Sequence, residues 1–252
     1  MKITGDFHTH TIYSCGYLLK GLHAKSTIEE NVKSAFDKGL KTIVISEHGA
    51  SHYLYGVRKK NLIKIRNEID RLNEIYSEKG LFIMMGLESN LIGLDGQIDV
   101  DDDILKMLDI LLMGFHYGST PKSFKEGIDL YFISQLSRKH GYREDEITEA
   151  ITESYVRAIK KYPIKIITHP GAKVKLNLLK LAKEAEKKDV ALEVNSRHGN
   201  LSLDDLKMLK DINVKFYINS DAHKASEVGN FKKGIETFLL SGLDINRVIN
   251  AI

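Results

Sequence analysis

The sequence contains a single cysteine, Cys15, and no long apolar run. One cysteine excludes an intramolecular disulfide framework, which fits a reducing compartment. No run approaches the roughly 18 apolar residues of a membrane span, and the N-terminus passes directly into a strand pattern without the apolar segment of a signal peptide. We therefore expect a globular cytoplasmic protein that does not enter a membrane.

A large charge excess and punctuating prolines are also missing. The formal net charge is +3, and the basic residues are spread along the chain rather than concentrated on one face, so nucleic acid is possible but not favoured as a partner. The three prolines are scattered, and no linker or repeat interrupts the 252 residues. We predict one domain that covers residues 1–252.

Seven short apolar runs alternate with amphipathic stretches of helical period. Nearly continuous apolarity is typical of strands in a parallel sheet that helices cover on both faces. Seven such units predict an α/β fold with a closed barrel of the TIM type, although an open doubly wound sheet gives almost the same pattern. The runs lie at 3–7, 41–46, 81–87, 109–115, 164–168, 190–195 and 214–219.

Several helix starts can be read from capping patterns. Ser26 with Glu29 predicts a capping box, and Ser202 with Asp205 predicts a similar one. Apolar residues at helical spacing predict a further helix over 145–161. The stretch 117–142 is long for a connection; it is interpreted either as a lid or as an additional peripheral helix, and its apolar spacing favours the helix.

Histidines are the unusual feature of the composition, with ten in the chain. Six histidines and two carboxylates directly follow predicted strands, and the carboxyl ends of parallel strands converge on one face. Such groups are costly to bury unpaired, and metal coordination is the usual resolution. The eight residues are His8, His10, His48, Glu88, His116, His169, Asp221 and His223.

Seven motifs in these positions resemble those of the polymerase and histidinol phosphatase (PHP) superfamily of metal-dependent phosphoesterases. They occur in the family's order and span nearly the whole chain. The resemblance implies a distorted (β/α)7 TIM-like barrel that holds up to three metal ions. The motifs are DFHTH (6–10), SEHG (46–49), GLE (86–88), GFH (114–116), THPG (168–171), LEVNS (192–196) and NSDAH (219–223).

Matching motif to motif, the resemblance implies three sets of metal ligands. The first ion would be bound by His8, His10, Glu88 and Asp221. Glu88 would bridge to a second ion held by His116 and His169. The third ion would be held by His48 and His223. Zinc, manganese and iron all occur in such sites, and these ligand types do not choose among them.

The third set needs one more ligand, and here the sequence departs from the family pattern. Many members have Ser-Asp-Gly after the HxH motif, whereas this chain has Ser14, Cys15 and Gly16, followed by an insertion-like YLLKGL at 17–22. His23 opens HAKST, which resembles the segment that supplies a third-site histidine in other members. We favour His23 over Cys15 and keep the thiolate as the alternative, because zinc accepts both.

A centre of several metal ions predicts hydrolysis of a phosphate ester. Two ions can polarise a phosphoryl oxygen, generate hydroxide near neutral pH and stabilise the entering and leaving oxygens. The nucleophile would be a metal-bound hydroxide at Glu88, and Asp221, His223 or metal-bound water would protonate the leaving group. The expected substrate is a small phosphorylated metabolite such as histidinol phosphate.

Other polar residues near the predicted face are interpreted one by one, and only Arg197 has two open interpretations. Arg197 and His198 follow the sixth strand, where Arg197 either contacts the substrate phosphate or is an exposed loop residue. Asp6 and Glu47 are interpreted as carboxylates that orient ligand histidines. His52 and His140 are interpreted as surface residues.

The sequence allows two alternative functions. Three of the motifs also resemble PHP domains attached to family X DNA polymerases, which would make the chain a nuclease or a DNA-repair protein; no polymerase or helix-hairpin-helix sequence accompanies them here. The chain could also be a non-catalytic metal-binding structural module. The presence of every expected ligand argues against that reading.

Overall fold

One sheet of seven parallel strands organises the molecule, with the strands in the order of the chain. The computed structural model describes residues 1–16 and 21–252, so most of the insertion predicted at 17–22 lies outside the described residues. All seven predicted strands are confirmed with small shifts. They are β1 (Gly5–Thr9), β2 (Thr42–His48), β3 (Phe82–Asn90), β4 (Ile110–Gly114), β5 (Ile164–Ile167), β6 (Ala191–Asn195) and β7 (Phe216–Asn219).

The last strand lies beside the first, so the sheet curls into a nearly closed barrel. The backbone N–H of Phe7 donates to Oδ1 of Asn219 at 3.0 Å, and the N–H of His10 donates to the carbonyl of Ala222 at 2.8 Å. A parallel bridge also joins Thr9 to Ala222. The predicted TIM-like barrel is therefore confirmed, and the open sheet is excluded.

Helices cover the outside of the barrel. The nine α-helices of the described chain are α1 (Ile28–Asp37), α2 (Lys59–Tyr76), α3 (Asp102–Leu105), α4 (Phe124–Gly127), α5 (Ser134–His140), α6 (Glu144–Lys161), α7 (Leu178–Lys187), α8 (Leu203–Met208) and α9 (Lys232–Ser241). Among residues 1–16 and 21–252, none of them is both long enough and apolar enough to cross a membrane.

One predicted helix start is wrong by one residue. The capping box before α1 is formed by Thr27 and Glu30, because the hydroxyl of Ser26 instead donates to Asn31 at 2.5 Å. The capping box of Ser202 before α8 is confirmed.

The barrel interior is divided between an apolar layer and a polar mouth. Leu112 pairs in register with Glu88, so the two side chains point to the same side of the sheet, into the barrel. Leu112 packs there with Val44, Ile110 and Ile166 in a small cluster separate from the larger core beneath the helices. The apolar layer closes the barrel below the polar residues that end each strand.

The stretch after β4 is helical, as its apolar spacing indicated. It runs from α4 through a π-helical turn at Ile128–Ile133 into α5. Its buried apolar residue is Leu130, whereas Ile128 and Phe132, whose helical spacing predicted the helix, are 40% and 59% exposed. At its end Arg138 donates to the carbonyl of Lys173 at 3.0 Å, which ties the segment to the loop after β5.

Candidate metal centre

The carboxyl ends of six strands bring the predicted ligands together. The residues of the first set surround a common point, since Nε2 of His8 and Nε2 of His10 are 3.0 Å apart. Oδ1 of Asp221 lies 3.7 Å from the first nitrogen and 3.5 Å from the second. The oxygens of Glu88 lie at 3.4 and 3.6 Å from the same two nitrogens. All four side chains are buried.

Glu88 also faces the residues of the second set. Its Oε1 lies 2.8 Å from Nε2 of His169 and 3.6 Å from Nε2 of His116. Its Oε2 lies 2.9 Å from Nδ1 of His48. Because one carboxylate borders histidines from both sets, its two oxygens can serve two neighbouring cations.

Three histidines of the third set meet next to the others. Nε2 of His23 lies 3.0 Å from Nε2 of His48 and 3.0 Å from Nε2 of His223. Nitrogen ligands about 2.0–2.1 Å from a tetrahedral zinc ion are roughly 3.3 Å apart, so this spacing fits a shared cation. Within the described part of the chain, neither Cys15 nor His23 belongs to a group of three candidate ligand atoms that all lie within 4.8 Å of one another, so the two 3.0 Å contacts of His23 are what favours it over the thiol.

The residues of the three ligand sets together form one cluster of histidines and carboxylates. Two buried polar atoms of this histidine cluster have no hydrogen-bond partner among the described residues. They are Nδ1 of His48 and Oε2 of Glu88, whose 2.9 Å contact lacks hydrogen-bond geometry. A buried imidazole nitrogen and a buried carboxylate oxygen left in this way are costly, and a cation resolves both at once. The donor set of imidazoles and carboxylates therefore fits divalent transition metals.

The backbone is strained at two of these strand ends. His169 and Asp221 have φ of +29° and +54°, in the left-handed region that non-glycine residues seldom occupy. Strain of this kind persists where the surrounding structure holds a side chain in place, and it is concentrated at functional sites. Here it turns both side chains into the barrel mouth.

The outer nitrogen of several cluster histidines faces a fixed acceptor. Nδ1 of His8 donates to Glu193 at 2.7 Å, Nδ1 of His116 to Oδ1 of Asn90 at 2.8 Å, and Nδ1 of His223 to the carbonyl of Asp221 at 2.9 Å. With the proton on Nδ1, the lone pair of each Nε2 points into the cluster. Such partners fix the ring orientation and strengthen a histidine as a ligand.

The cluster shifts the pKa values of its members in opposite directions. Burial and the neighbouring His48 and His223 lower the pKa of His23 to about 2, so its ring is neutral and able to bind a metal. Burial would raise the pKa of Glu88, but the surrounding histidines, His116 foremost, hold it well below its usual value. Burial lowers the pKa of His8, but the charges of Glu193, Glu88 and Asp221 together outweigh burial and raise this pKa well above its usual value.

Above the cluster is an open cavity of about 220 Å³. Cluster members form its floor. Both predicted substrate-binding residues reach it: Nε2 of His198 lies 3.3 Å from Asp221, and Arg197 donates to the carbonyl of Asp221 at 3.3 Å. The remaining wall is formed by His52, Tyr55, Tyr117 and Lys173.

Two interpretations of polar residues change. Asp6 does not orient an imidazole ring; its carboxylate accepts from the hydroxyl of Ser220 and from the N–H of Gly229, which pins β1 to the chain after β7. Glu193 takes the orienting role instead. His52 was expected at the surface but is 4% exposed, and its ring stacks on Tyr55 at 4.7 Å.

Glu47 reaches a cluster histidine only indirectly. It accepts from the hydroxyls of Thr11 and Ser14, and the Ser14 hydroxyl lies 3.4 Å from Nδ1 of His10. Burial raises the pKa of Glu47 to about 7. His140, as expected, is exposed.

Comparison with known proteins gives relatives over the full length of the chain. No protein-family model matches it. A probable phosphatase of Shewanella frigidimarina is 30% identical over 264 residues, which cover 99% of this chain and 90% of the relative. A probable phosphatase of Thermoanaerobacter sp. strain X514 is likewise 30% identical, and the match covers 99% of this chain and 91% of the relative.

A solved structure shares the fold. Histidinol phosphate phosphatase from Lactococcus lactis, in a complex with zinc, L-histidinol and phosphate, superimposes with a TM-score of 0.61. The identity is 13%, and the match covers 96% of this chain and 94% of that chain. The relatives and the barrel agree with the motifs, and the chain belongs to this family of probable phosphatases as a phosphoester hydrolase of the PHP type.

Proposed function

We propose that the chain hydrolyses phosphate monoesters of small metabolites with three divalent metal ions. The observation that carries the proposal is the position of Glu88, whose two oxygens border imidazole nitrogens of all three predicted ligand sets within 3.6 Å. A single carboxylate placed among three groups of histidines can bridge adjacent cations.

Each ion has a proposed set of protein ligands. The first is held by His8, His10, Glu88 and Asp221, the second by Glu88, His116 and His169, and the third by His23, His48 and His223. The contact of His48 with Glu88 suggests that this carboxylate also borders the third ion. Divalent ions held in these places would polarise the phosphoryl oxygens and supply hydroxide from water at neutral pH.

The chain's own residues position the ester around the ions. Arg197, anchored to the carbonyl of Asp221 and to Glu227, directs a guanidinium over the floor of the cavity, where a phosphoryl oxygen can accept from it. His198 is 34% exposed next to Asp221 and can donate to the same group. A proton for the leaving group would come from Asp221, His223 or water.

A small substrate is supported by the dimensions of the site. The cavity measures about 220 Å³, less than the roughly 300–1,000 Å³ of typical ligand pockets. Histidinol phosphate is one candidate, since the Lactococcus lactis neighbour is a histidinol phosphate phosphatase. Zinc, manganese and iron are all compatible with the ligand set.

The test combines metal analysis with hydrolysis. Protein purified without chelator is analysed for metals, and hydrolysis of p-nitrophenyl phosphate is measured before and after chelation and again after adding back zinc, manganese or iron. We expect two to three ions per chain, about as many as the ligand sets provide, and turnover that chelation removes and metal restores. Inactive protein that resists reconstitution with metal would favour a non-catalytic role, and protein that holds metal but stays inactive would favour the metal-binding structural module.

The nuclease reading is tested in the same assay. Single-stranded and duplex DNA are added as competitors of p-nitrophenyl phosphate at several salt concentrations. A DNA-processing enzyme would be inhibited strongly, and the inhibition would fall steeply with salt. We expect weak inhibition with little salt dependence.

A further inference from the structure

We propose that the ester carries a second anionic group, a carboxylate or another phosphate, and that Lys173 binds it. This inference rests on the proposed function, because it concerns the part of the substrate that remains attached to the leaving oxygen. It makes Lys173 a residue that determines specificity.

Lys173 is a half-buried cation on the cavity wall. It follows THPG in the loop after β5 and lines the cavity. No acidic side chain in the described part of the chain forms an ion pair with it, whereas many of the other lysines have such a partner. A lysine held near a cavity without a counter-charge is available to a ligand.

The backbone that carries Lys173 is fixed from two directions. Its carbonyl accepts from the phenol of Tyr117 at 3.2 Å and from the guanidinium of Arg138 at 3.0 Å. Tyr117 itself lines the cavity, and Arg138 reaches over from α5. The side chain of Lys173 therefore extends from a fixed base, which limits the positions its ammonium group can take.

Among the described residues that line the cavity, no carboxylate is available to a cationic substituent. Asp221 is the only carboxylate among the described lining residues, and it faces the imidazoles of His8 and His10 at 3.7 and 3.5 Å. The undescribed residues 17–20 have the sequence YLLK, which contains no acidic residue. An ammonium group on the substrate would meet Lys173 and Arg197 and find no counter-charge.

The reacting phosphoryl group does not need Lys173. The ions proposed at the cluster neutralise it, and Arg197 lies beside Asp221 at the same end of the cavity. Lys173 is thus a positive charge beyond those that bind the reacting phosphoryl group. It attracts a substrate with a second anionic group and repels a substrate with a cationic group. Histidinol phosphate, which carries an ammonium group, becomes a poor substrate under this inference.

The experiment compares esters that differ in one charged group. The metal-loaded enzyme is assayed with 3-phosphoglycerate, glycerol 1-phosphate, phosphoethanolamine and histidinol phosphate, and fructose 1,6-bisphosphate is compared with fructose 6-phosphate to separate a carboxylate from a second phosphate. We expect kcat/KM for at least one doubly anionic ester to exceed that of its neutral counterpart by about tenfold, which corresponds to about 1.4 kcal/mol. The two amino esters should be the slowest.

Two variants assign the preference to Lys173. Lys173→Met should lower the ratio of kcat/KM between the anionic and neutral esters by about tenfold, and Lys173→Glu should turn the preference towards phosphoethanolamine. Lys106→Met, at an exposed lysine outside the cavity, should leave the ratio unchanged.

The outcomes separate this inference from the proposed function. Equal rates with neutral and anionic esters, faster hydrolysis of an amino ester, or an anionic preference that survives both Lys173 substitutions would overturn the role of Lys173 while leaving a phosphatase. Absence of hydrolysis with every ester after metal reconstitution would refute the proposed function, and the inference with it.

Discussion

Oε1 of Glu193 lies 2.7 Å from Nδ1 of His8, a contact that joins β6 to β1 although the residues are 185 positions apart in the chain. The other oxygen, Oε2, accepts from the backbone N–H of His169 at 2.8 Å. One fully buried carboxylate therefore holds two histidines that we assign to different ions. Its charge is stabilised by those contacts, which lower the pKa of Glu193 against the effect of burial.

Replacing Glu193 should weaken the metal centre. In Glu193→Gln the amide NH2 group must face one of the donors that the carboxylate now accepts from, so His8 or His169 loses its fixed orientation. We expect metal affinity to fall about 10–100-fold, measured by titrating the loaded protein with a chelator. Glu236→Gln, at an exposed helical glutamate, is the matched control. Equal metal affinity in the two variants would show that Glu193 does not support metal binding.

Glu88→Gln should be the most damaging single change of a ligand. It removes the charge that borders all three sets of histidines, so two ions should be lost together and turnover should fall more than about 100-fold. Metal analysis and p-nitrophenyl phosphate hydrolysis on the same preparation check both effects. His140→Ala, at an exposed histidine, should change neither, and full activity of the Glu88 variant would refute the assignment.

The choice between His23 and Cys15 can be decided by metal stoichiometry. His23→Ala should reduce the bound metal by one ion per chain, because two nitrogens at 3.0 Å lose their common partner. Cys15→Ala should leave the metal content unchanged, since this buried thiol does not belong to any of the described groups of candidate ligands, whereas His23 contacts both His48 and His223. The opposite pattern would transfer the role to the thiolate.

Asp6 should make a measurable contribution to the pH dependence of stability. Burial raises its pKa from 3.8 to about 6 in the folded protein, so the folded state binds more protons than the unfolded state between these two values. The favourable contribution of Asp6 is fully present below pH 3.8 and is lost as the pH rises through about 6. Its full size is on the order of 3 kcal/mol.

Chemical unfolding at a series of pH values from 4 to 7 measures this effect. The free energy of unfolding of the wild type minus that of Asp6→Asn should fall as the pH rises across the window. A difference that is constant, or that grows with pH, would show that the Asp6 carboxylate is ionised throughout.

The sequence predicts the barrel and the histidine cluster because both depend on short-range regularities. Each strand is a continuous apolar run, and a histidine or carboxylate directly after such a run is placed at the barrel mouth by the parallel topology alone. His8 and His10 share a side because residues two apart on a strand do so.

Contacts between distant strands leave no such trace. Glu193 stands inside the apolar run of β6, where nothing in its neighbours indicates that it faces His8. Likewise His52 and Tyr55 lie in a loop without periodicity, so their stacking over the cavity follows from the path of the loop and not from a pattern. Asp6 was misassigned for the same reason, since its partner Ser220 is 214 positions away.

The histidine cluster collects residues from His8 to His223, which places its parts on six strands. A nascent chain presents His8 and His10 first and must be extended by more than two hundred residues before Asp221 emerges. The complete set of ligands therefore exists only once the last strand has paired with the first. Metal ions bound by this set would stabilise the contact between the first and last strands as the final step of folding. The metal content of a preparation would then measure the fraction of molecules that are fully folded.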